Sequence, residues 1–232
     1  ETASISSYLL AGFYSGETRS SEAGMKYFVY GAFTTAVMLY GMSLIYGVTG
    51  QTNLYVLGNM FSSEQMAGVA PLLLLASVLI VVGFAFKTSI VPYHFWAPDV
   101  YEGAPTPFTG FVSTASKAAG FAVFLRVFLA GVLGPVSANA EWWAMLVGMC
   151  VITMILGNFV AIYQTNVKRL LAYSSIAQAG YALIGLITLT QDGSGATMFY
   201  LLMYVFTNIA AFGVIILVSN ATARVSGGQV VV

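Results

Sequence analysis

The sequence predicts an all-α integral membrane protein: a polytopic helix bundle with one discontinuous transmembrane helix. Three observations carry this. Hydrophobic residues make up 59% of the chain and charged residues 7%, with a mean hydropathy of +0.86, against a charged fraction of about 25% in an ordinary soluble domain. The apolar runs are separated by short polar punctuation, and most reach the roughly 20 residues that a helix needs to cross about 30 Å of hydrocarbon. Nothing alternates over segments of about 10 residues, as the strands of a membrane barrel would.

Seven helical segments follow, at 1–14, 26–48, 69–96, 108–133, 142–164, 170–189 and 197–218. They form one transporter-type membrane domain, 1–218, and residues 219–232 read as a tail. The opening ETASISSYLLAGFY makes only about 21 Å of helix, which is too short to span. We therefore expect a half-span whose helix continues upstream, and no signal peptide, because no charged n-region with a short apolar core opens the chain. The 69–96 run would make roughly 42 Å of straight helix, so it must tilt or break. Pro92 removes a backbone donor and Gly83 precedes it, which predicts a discontinuity around 87–92. Freed backbone groups at membrane depth need protein or water over them, so a broken helix implies a polar cavity. The 108–133 segment carries Lys117 and Arg126, the latter an anchor or a partner for a neighbouring helix. In 142–164, Cys150 sits in LVGMCVITM and reads as core packing; a lone cysteine excludes an internal disulfide and a cysteine-ligated cluster. The interiors of the last three segments carry no charge, only Asn158, Gln164, Gln178, Asn208 and hydroxyls. Among these, Tyr173, Ser174, Ser175 and Tyr181 serve either as interhelical glue or as bridges to water.

Charge supports the count. With alternating crossings, Arg19, Lys26, Lys168, Arg169 and Arg224 fall in loops on one side, and the opposite loops hold no Lys or Arg. That side is expected to be cytoplasmic. Eight basic residues balance eight acidic ones, which leaves no basic surface for nucleic acid; lipid bilayer and protein neighbours are the expected partners. A single histidine excludes a two-histidine haem site within the chain.

Function is signalled by charges placed where they are expensive. An ionised lysine at the bilayer centre costs on the order of 3 kcal/mol on insertion scales. Lys87 stands at the expected break, with snorkelling to the headgroups as the alternative. Lys117, about ten residues into its helix, lies too deep to snorkel. It needs a polar interior or a carboxylate from another helix. Ser113 shares its face at i−4 and could hold water there. Glu1 is the best acid on offer if its helix ends near residue 14, although a terminus exposed to solvent is the other possibility. His94 directly follows the break and could pass protons at neutral pH, or simply bond a loop carbonyl. Desolvation favours the neutral amine and a nearby carboxylate favours the charged one. A glutamate and two lysines on separate helices therefore outline a proton relay.

The run FKTSIVPYHFWAPDVYEGAPTPFTGFVSTASKAAGFAVFLR resembles the core signature of the antiporter-like subunits of respiratory complex I, and its PDVYEGAPTP resembles the N-type subunit, subunit 2. The block GNFVAIYQTNVKRLLAYSSIAQAGYALIGL is similar to a later segment of that subunit. The resemblance implies part of an inverted-repeat antiporter-like fold, with Glu1 matching the family's buried glutamate, Lys87 the lysine of the first broken helix and Lys117 the central lysine of the next. The family's later lysine lies beyond this sequence. The implied function is proton translocation in NADH:quinone oxidoreductase, coupled to quinone reduction elsewhere in the complex. NADH, FMN, iron–sulfur clusters and quinone would belong to other subunits, because this chain has no nucleotide motif or cluster ligands. The expected setting is a bacterial plasma membrane, beside other membrane subunits of the complex. The rivals are a subunit of a sodium/proton antiporter or membrane-bound hydrogenase, a non-transporting scaffold, and a quinone- or haem-binding protein resting on His94 alone. The electron donor, NADH or ferredoxin, and the ion moved stay open.

Overall fold

Helix follows helix through residues 2–61, 68–130 and 140–225, which the computed structural model of the chain describes. The elements are α1 (Thr2–Ala11), α2 (Thr18–Thr49), α3 (Leu54–Phe61), α4 (Ala70–Thr88), α5 (Trp96–Gly103), α6 (Thr106–Phe111), a π turn (Val112–Ser116), α7 (Lys117–Ala130), α8 (Ala140–Ile162), α9 (Val167–Ile187) and α10 (Gln191–Val225). Six helices among the described residues are long and apolar enough to cross a membrane; α6, the π turn and α7 together make one of them.

Several boundaries have readable causes. Helix α2 closes where Gly50 adopts a left-handed φ of 63° and its N–H bonds the Tyr46 carbonyl, a conformation that glycine enters without a Cβ penalty. Pro71 stands in the first turn of α4, where its missing N–H costs nothing. Asn166 caps α9 by accepting from the Lys168 and Arg169 amides, which satisfies two of the orphan donors at the helix start.

Helix packing depends on close backbone approach, as expected where lipid supplies no hydrophobic drive between helices. A Cβ on Gly157 of α8 would lie 2.6 Å from the Ala177 nitrogen of α9. Cys150 is buried, and its Sγ donates to the Gly180 carbonyl on the same interface at 3.2 Å. Apolar side chains gather into two clusters. One spans α2, α3, α4, α7, α8, α9 and α10 around Phe84, Phe121, Phe124, Phe128 and Trp142. The other sits around the break, with Tyr27 stacked on Trp96 at 4.6 Å.

The structure differs from the sequence reading in instructive places. The 69–96 segment does break, with α4 ending at Thr88 and Ser89 at a φ of 61°, but its second half runs on as α5 to Gly103. PDVYEG had read as a connection because it is polar; it is helical because its acids are paired. Helix α3 was likewise hidden, since a stretch of eight residues cannot span and so resembled a loop. Helix α2 starts at Thr18 rather than near 26, its added turns carrying Arg19 and Glu22, ion-paired to Glu102 and Lys26. Helix α10 runs past 218 to Val225.

Candidate functional site

The break is built so that its freed backbone groups find partners. Past Thr88 the chain turns through Ser89 and a cis Val91–Pro92 peptide before α5 begins. The Phe86 carbonyl accepts from Trp96 Nε1 at 2.9 Å, and Ile90 N–H returns to the Ala85 carbonyl at 2.8 Å. Val91 N–H is taken by Thr153 Oγ1 of α8 at 3.1 Å. Three helices therefore fix the geometry of the gap, as the absence of bulk water at that depth demands.

Lys87 stands in the last turn of α4, at this gap. It is half-buried, and its Nζ reaches Ser4 Oγ of α1 at 3.4 Å. Its stem crosses α7 at Gly120, where a Cβ would stand 3.5 Å from Lys87 Cγ. Glu1, the acid expected to join the relay, lies outside the described residues; Lys87 does nonetheless reach the helix that follows Glu1.

Lys117 begins α7 immediately after the π turn, about 17 Å along the α6–α7 span from Thr106, and is 2% exposed. Among the described residues no carboxylate pairs with it. Its Nζ donates instead to Ser175 of α9, to the carbonyl at 2.9 Å and to Oγ at 2.5 Å. The same Ser175 Oγ accepts from the Tyr204 hydroxyl of α10 at 2.9 Å and lies 3.1 Å from the Tyr101 hydroxyl of α5. Four elements thus meet at one buried oxygen. Sequence reasoning had Ser175 only as glue or a water bridge and missed both phenols. The signal was weak, because Tyr101 sits in a polar stretch read as loop and Tyr204 in an apolar run with no partner visible in sequence.

The other predicted residues take separate places. Ser113 is buried, but its hydroxyl donates to the Gly110 carbonyl of its own helix at 2.9 Å, within the π turn that precedes Lys117. His94 is buried between α4 and α5, and its Nδ1 has no hydrogen-bond partner among the described residues. It lines a cavity of about 230 Å³ together with Lys26, Tyr30, Asp99, Arg169 and Tyr173. Arg126 is exposed on α7.

That cavity opens beside an ion cluster the sequence reading did not foresee. Asp99 of α5 accepts from Lys26 of α2 at 2.5 Å and Arg169 of α9 at 2.7 Å. Glu102 bonds Arg169 at 3.1 Å and Arg19 at 3.2 Å, and Asn166 at 3.4 Å. Lys26 also holds Glu22 one turn earlier on α2. Lys168 Nζ donates to the Ala104 carbonyl at the end of α5 at 2.8 Å, where the helix dipole favours a cation. Burial alone would push the Asp99 carboxyl up, but the hydrogen bonds from Lys26 and Arg169 and their charges hold it below its ordinary value. Four of the five basic residues grouped by the alternation argument, Arg19, Lys26, Lys168 and Arg169, thus converge on α5 and its C-terminal end; the side chain of the fifth, Arg224, lies outside the described residues.

The described residues contain no group of three or more His, Cys, Asp or Glu side chains placed to hold a metal. What the arrangement can do is hold and move protons. It combines a buried amine with hydroxyl partners, a second amine one helix away, and a polar cavity with an imidazole in its wall.

Comparison with known proteins agrees with this geometry. The family model described as NADH:quinone oxidoreductase/Mrp antiporter, TM matches residues 1–227. NADH-quinone oxidoreductase subunit N 2 of Chloroherpeton thalassium is 49% identical over 95% of this chain and 43% of its own length. Subunit N of Moorella thermoacetica is 50% identical over 91% and 43%. The chain spans under half the length of these curated relatives. Among solved structures, respiratory complex I from Thermus thermophilus with bound aureothin aligns with a TM-score of 0.74 at 40% identity, over 91% of this chain and 43% of that one. The membrane-bound sulfane sulfur reductase, an archaeal respiratory membrane complex, gives 0.78 at 30%, over 90% and 42%. The Mrp complex from Dietzia sp. DQ12-45-1b gives 0.73 at 25%, over 84% and 35%. The N-type resemblance is borne out by the relatives' names, and the antiporter-like fold by the structures. With its broken helix and its buried lysine at mid-span, the chain belongs to the NADH:quinone oxidoreductase/Mrp antiporter transmembrane family.

Proposed function

We propose that this chain is part of a proton-translocating membrane subunit of a bacterial NADH:quinone oxidoreductase, with the cluster of Arg19, Lys26, Lys168 and Arg169 at the cytoplasmic face of the plasma membrane. Protons pass through Lys87 and Lys117. Glu1 modulates Lys87 from the first helix, and His94 and Ser113 serve as accessory relay groups. Electron transfer, with NADH, FMN, iron–sulfur clusters and quinone, takes place in other subunits.

One observation carries the reading. Lys117 Nζ is buried at mid-span and held by a hydroxyl and a carbonyl. A scaffold would gain nothing from an amine whose insertion costs on the order of 3 kcal/mol, whereas a relay needs a group that can be charged or neutral. The coupling is electrostatic: a change in the Glu1 to Lys87 interaction alters the proton affinity of Lys87 and then of Lys117. In membranes carrying the intact complex, Lys117→Ala should lower protons moved per electron while leaving the complex assembled. Unchanged stoichiometry would reject the relay, and full assembly with full pumping in Lys117→Met would favour a scaffold.

A second reading is a subunit of a sodium/proton antiporter or a membrane-bound respiratory complex of another type. The similarity to the Mrp complex and to the sulfane sulfur reductase supports it, at 25% and 30% identity. Identity of about half with relatives named subunit N favours the first. Dependence of transport on sodium would reverse that preference.

A further inference from the structure

We propose that Ser175, with Tyr101 and Tyr204, is a hydrogen-bond switch that reads the protonation state of Lys117 and passes it to α5. The inference rests on the reading above, in which Lys117 takes up and releases protons.

The argument is a count of donors and acceptors around one oxygen. A serine hydroxyl has one hydrogen and two lone pairs, and a lysine ammonium has donors only. With Lys117 charged, Ser175 Oγ accepts from Nζ and from the Tyr204 hydroxyl. Both lone pairs are then filled, so the serine hydrogen points at Tyr101, which must accept. Neutral Lys117 has a lone pair of its own. Its remaining N–H groups keep the bond to the Ser175 carbonyl, and the serine hydrogen turns to Nζ. This frees a lone pair on Oγ, and Tyr101 fills it by becoming a donor. Protonation of Lys117 therefore reverses the Ser175–Tyr101 bond without moving a heavy atom.

The far end of this switch is well placed to matter. Tyr101 is fully buried and lies between Asp99 and Glu102 on α5, the residues that tie α5 to α2 and α9. Turning the Tyr101 hydroxyl rotates a dipole inside the low-dielectric interior, where electrostatic interactions are strong, on a side chain borne by the same short helix as that cluster. The other titratable or charged groups near Lys117 are Lys87 from α4, whose stem crosses Gly120 one turn away, and Tyr204 from α10. Helix α9 brings Ser175 at that level and Lys168 and Arg169 at its start. Ser175 and Tyr101 are positioning residues, since neither carries net charge through the step.

The test uses membranes carrying the intact complex, with electron transfer and proton uptake followed across pH. Ser175→Ala and Tyr101→Phe should each lower protons moved per electron by severalfold and displace the pH at which pumping is half-maximal, in the same direction. The double variant should be no worse than either single one, as for two parts of one device. Ser175→Thr keeps the hydroxyl and should restore the profile, whereas Tyr204→Phe, which leaves a lone pair open so that Tyr101 can donate in both states, should move the midpoint in the same direction as Tyr101→Phe. A purely packing role predicts weaker assembly with an unmoved pH profile. That result, or independent multiplying effects in the double variant, overturns the switch. Lys117→Ala separates the two levels. If it leaves pumping intact, the relay reading itself falls; if it abolishes pumping while Ser175→Ala and Tyr101→Phe keep wild-type profiles, only the switch falls.

Discussion

Thr153→Val tests whether the broken helix is held open by its neighbours. Thr153 is completely buried on α8, and its Oγ1 accepts the Val91 N–H at 3.1 Å while donating to the Met149 carbonyl of its own helix at 2.5 Å. Valine keeps the shape of the side chain and removes both bonds. Losing the donation matters little, because the Met149 carbonyl stands inside α8 and keeps its helical partner. Losing the acceptor strands a backbone N–H in the gap beside Lys87, at a cost of about 1–3 kcal/mol, toward the upper end where no bulk water can replace the partner. At 1.4 kcal/mol per factor of ten, local opening around Val91 should become about 5- to 150-fold more frequent. Hydrogen–deuterium exchange of the peptide spanning 85–95, measured on the detergent-solubilised complex, reads this directly. Thr153→Ser, which keeps the acceptor, should exchange like the wild type. If Thr153→Val leaves exchange and proton pumping unchanged, α8 does not support the break and the account of the gap is wrong.

Three further outcomes follow from the same structure. The depressed Asp99 carboxyl contributes stability that is complete above its ordinary value of 3.8 and is lost as pH falls below it, through its lower folded value. Thermal unfolding of the solubilised complex at descending pH should therefore lose this increment in the wild type, and Asp99→Asn should lack it at every pH. Gly157→Val must move a Cβ from 2.6 Å to at least the ordinary 3.4 Å from the Ala177 backbone, a separation of about 0.8 Å. Overpacking of this kind costs about 1–3 kcal/mol, visible as a lower thermal midpoint, whereas Gly148→Val, with open space around it, should be neutral. Trp96→Phe removes the Nε1 bond to the Phe86 carbonyl and should cost about 1 kcal/mol, with faster exchange confined to the end of α4.

How much of this was legible in the sequence divides along a physical line. The spans, the break near Pro92 and the anomalous depth of Lys117 were readable, because lipid imposes one length scale and one charge rule on every residue. Ser175 was not readable as the partner of Lys117. The two are far apart in sequence, and a serine in a membrane helix looks the same whether it bonds its own turn, as Ser113 does with Gly110, or a distant amine. Asp99 and Glu102 were misread for a related reason. Acids in a polar stretch signal a loop until the cations that neutralise them are located, and those cations come from α2 and α9. The π turn before Lys117 leaves no sequence signature we can identify, and Ser113 within it bonds backwards along its helix.

The distribution of charge supports the proposed role of Lys117 as a switchable group. Among the described residues the ion pairs all involve α5 or the start of α2, at Asp99, Glu102 and Glu22, and none reaches the amine at mid-span. A fixed carboxylate against Lys117 would favour its charged form strongly and pin the proton there; breaking such a buried pair costs about 3–5 kcal/mol. A hydroxyl and a carbonyl solvate the charged amine through their oxygens, and the hydroxyl can equally donate to the neutral amine. The energy separating the two forms is therefore set by groups that can reorient, and in the proposed relay a charge moving one helix away, at Lys87, tips it. In the proposed relay, permanent ion pairs where the helices stay docked and neutral reversible partners where a proton comes and goes are two different demands, and the sequence meets them with different residue types at the two depths.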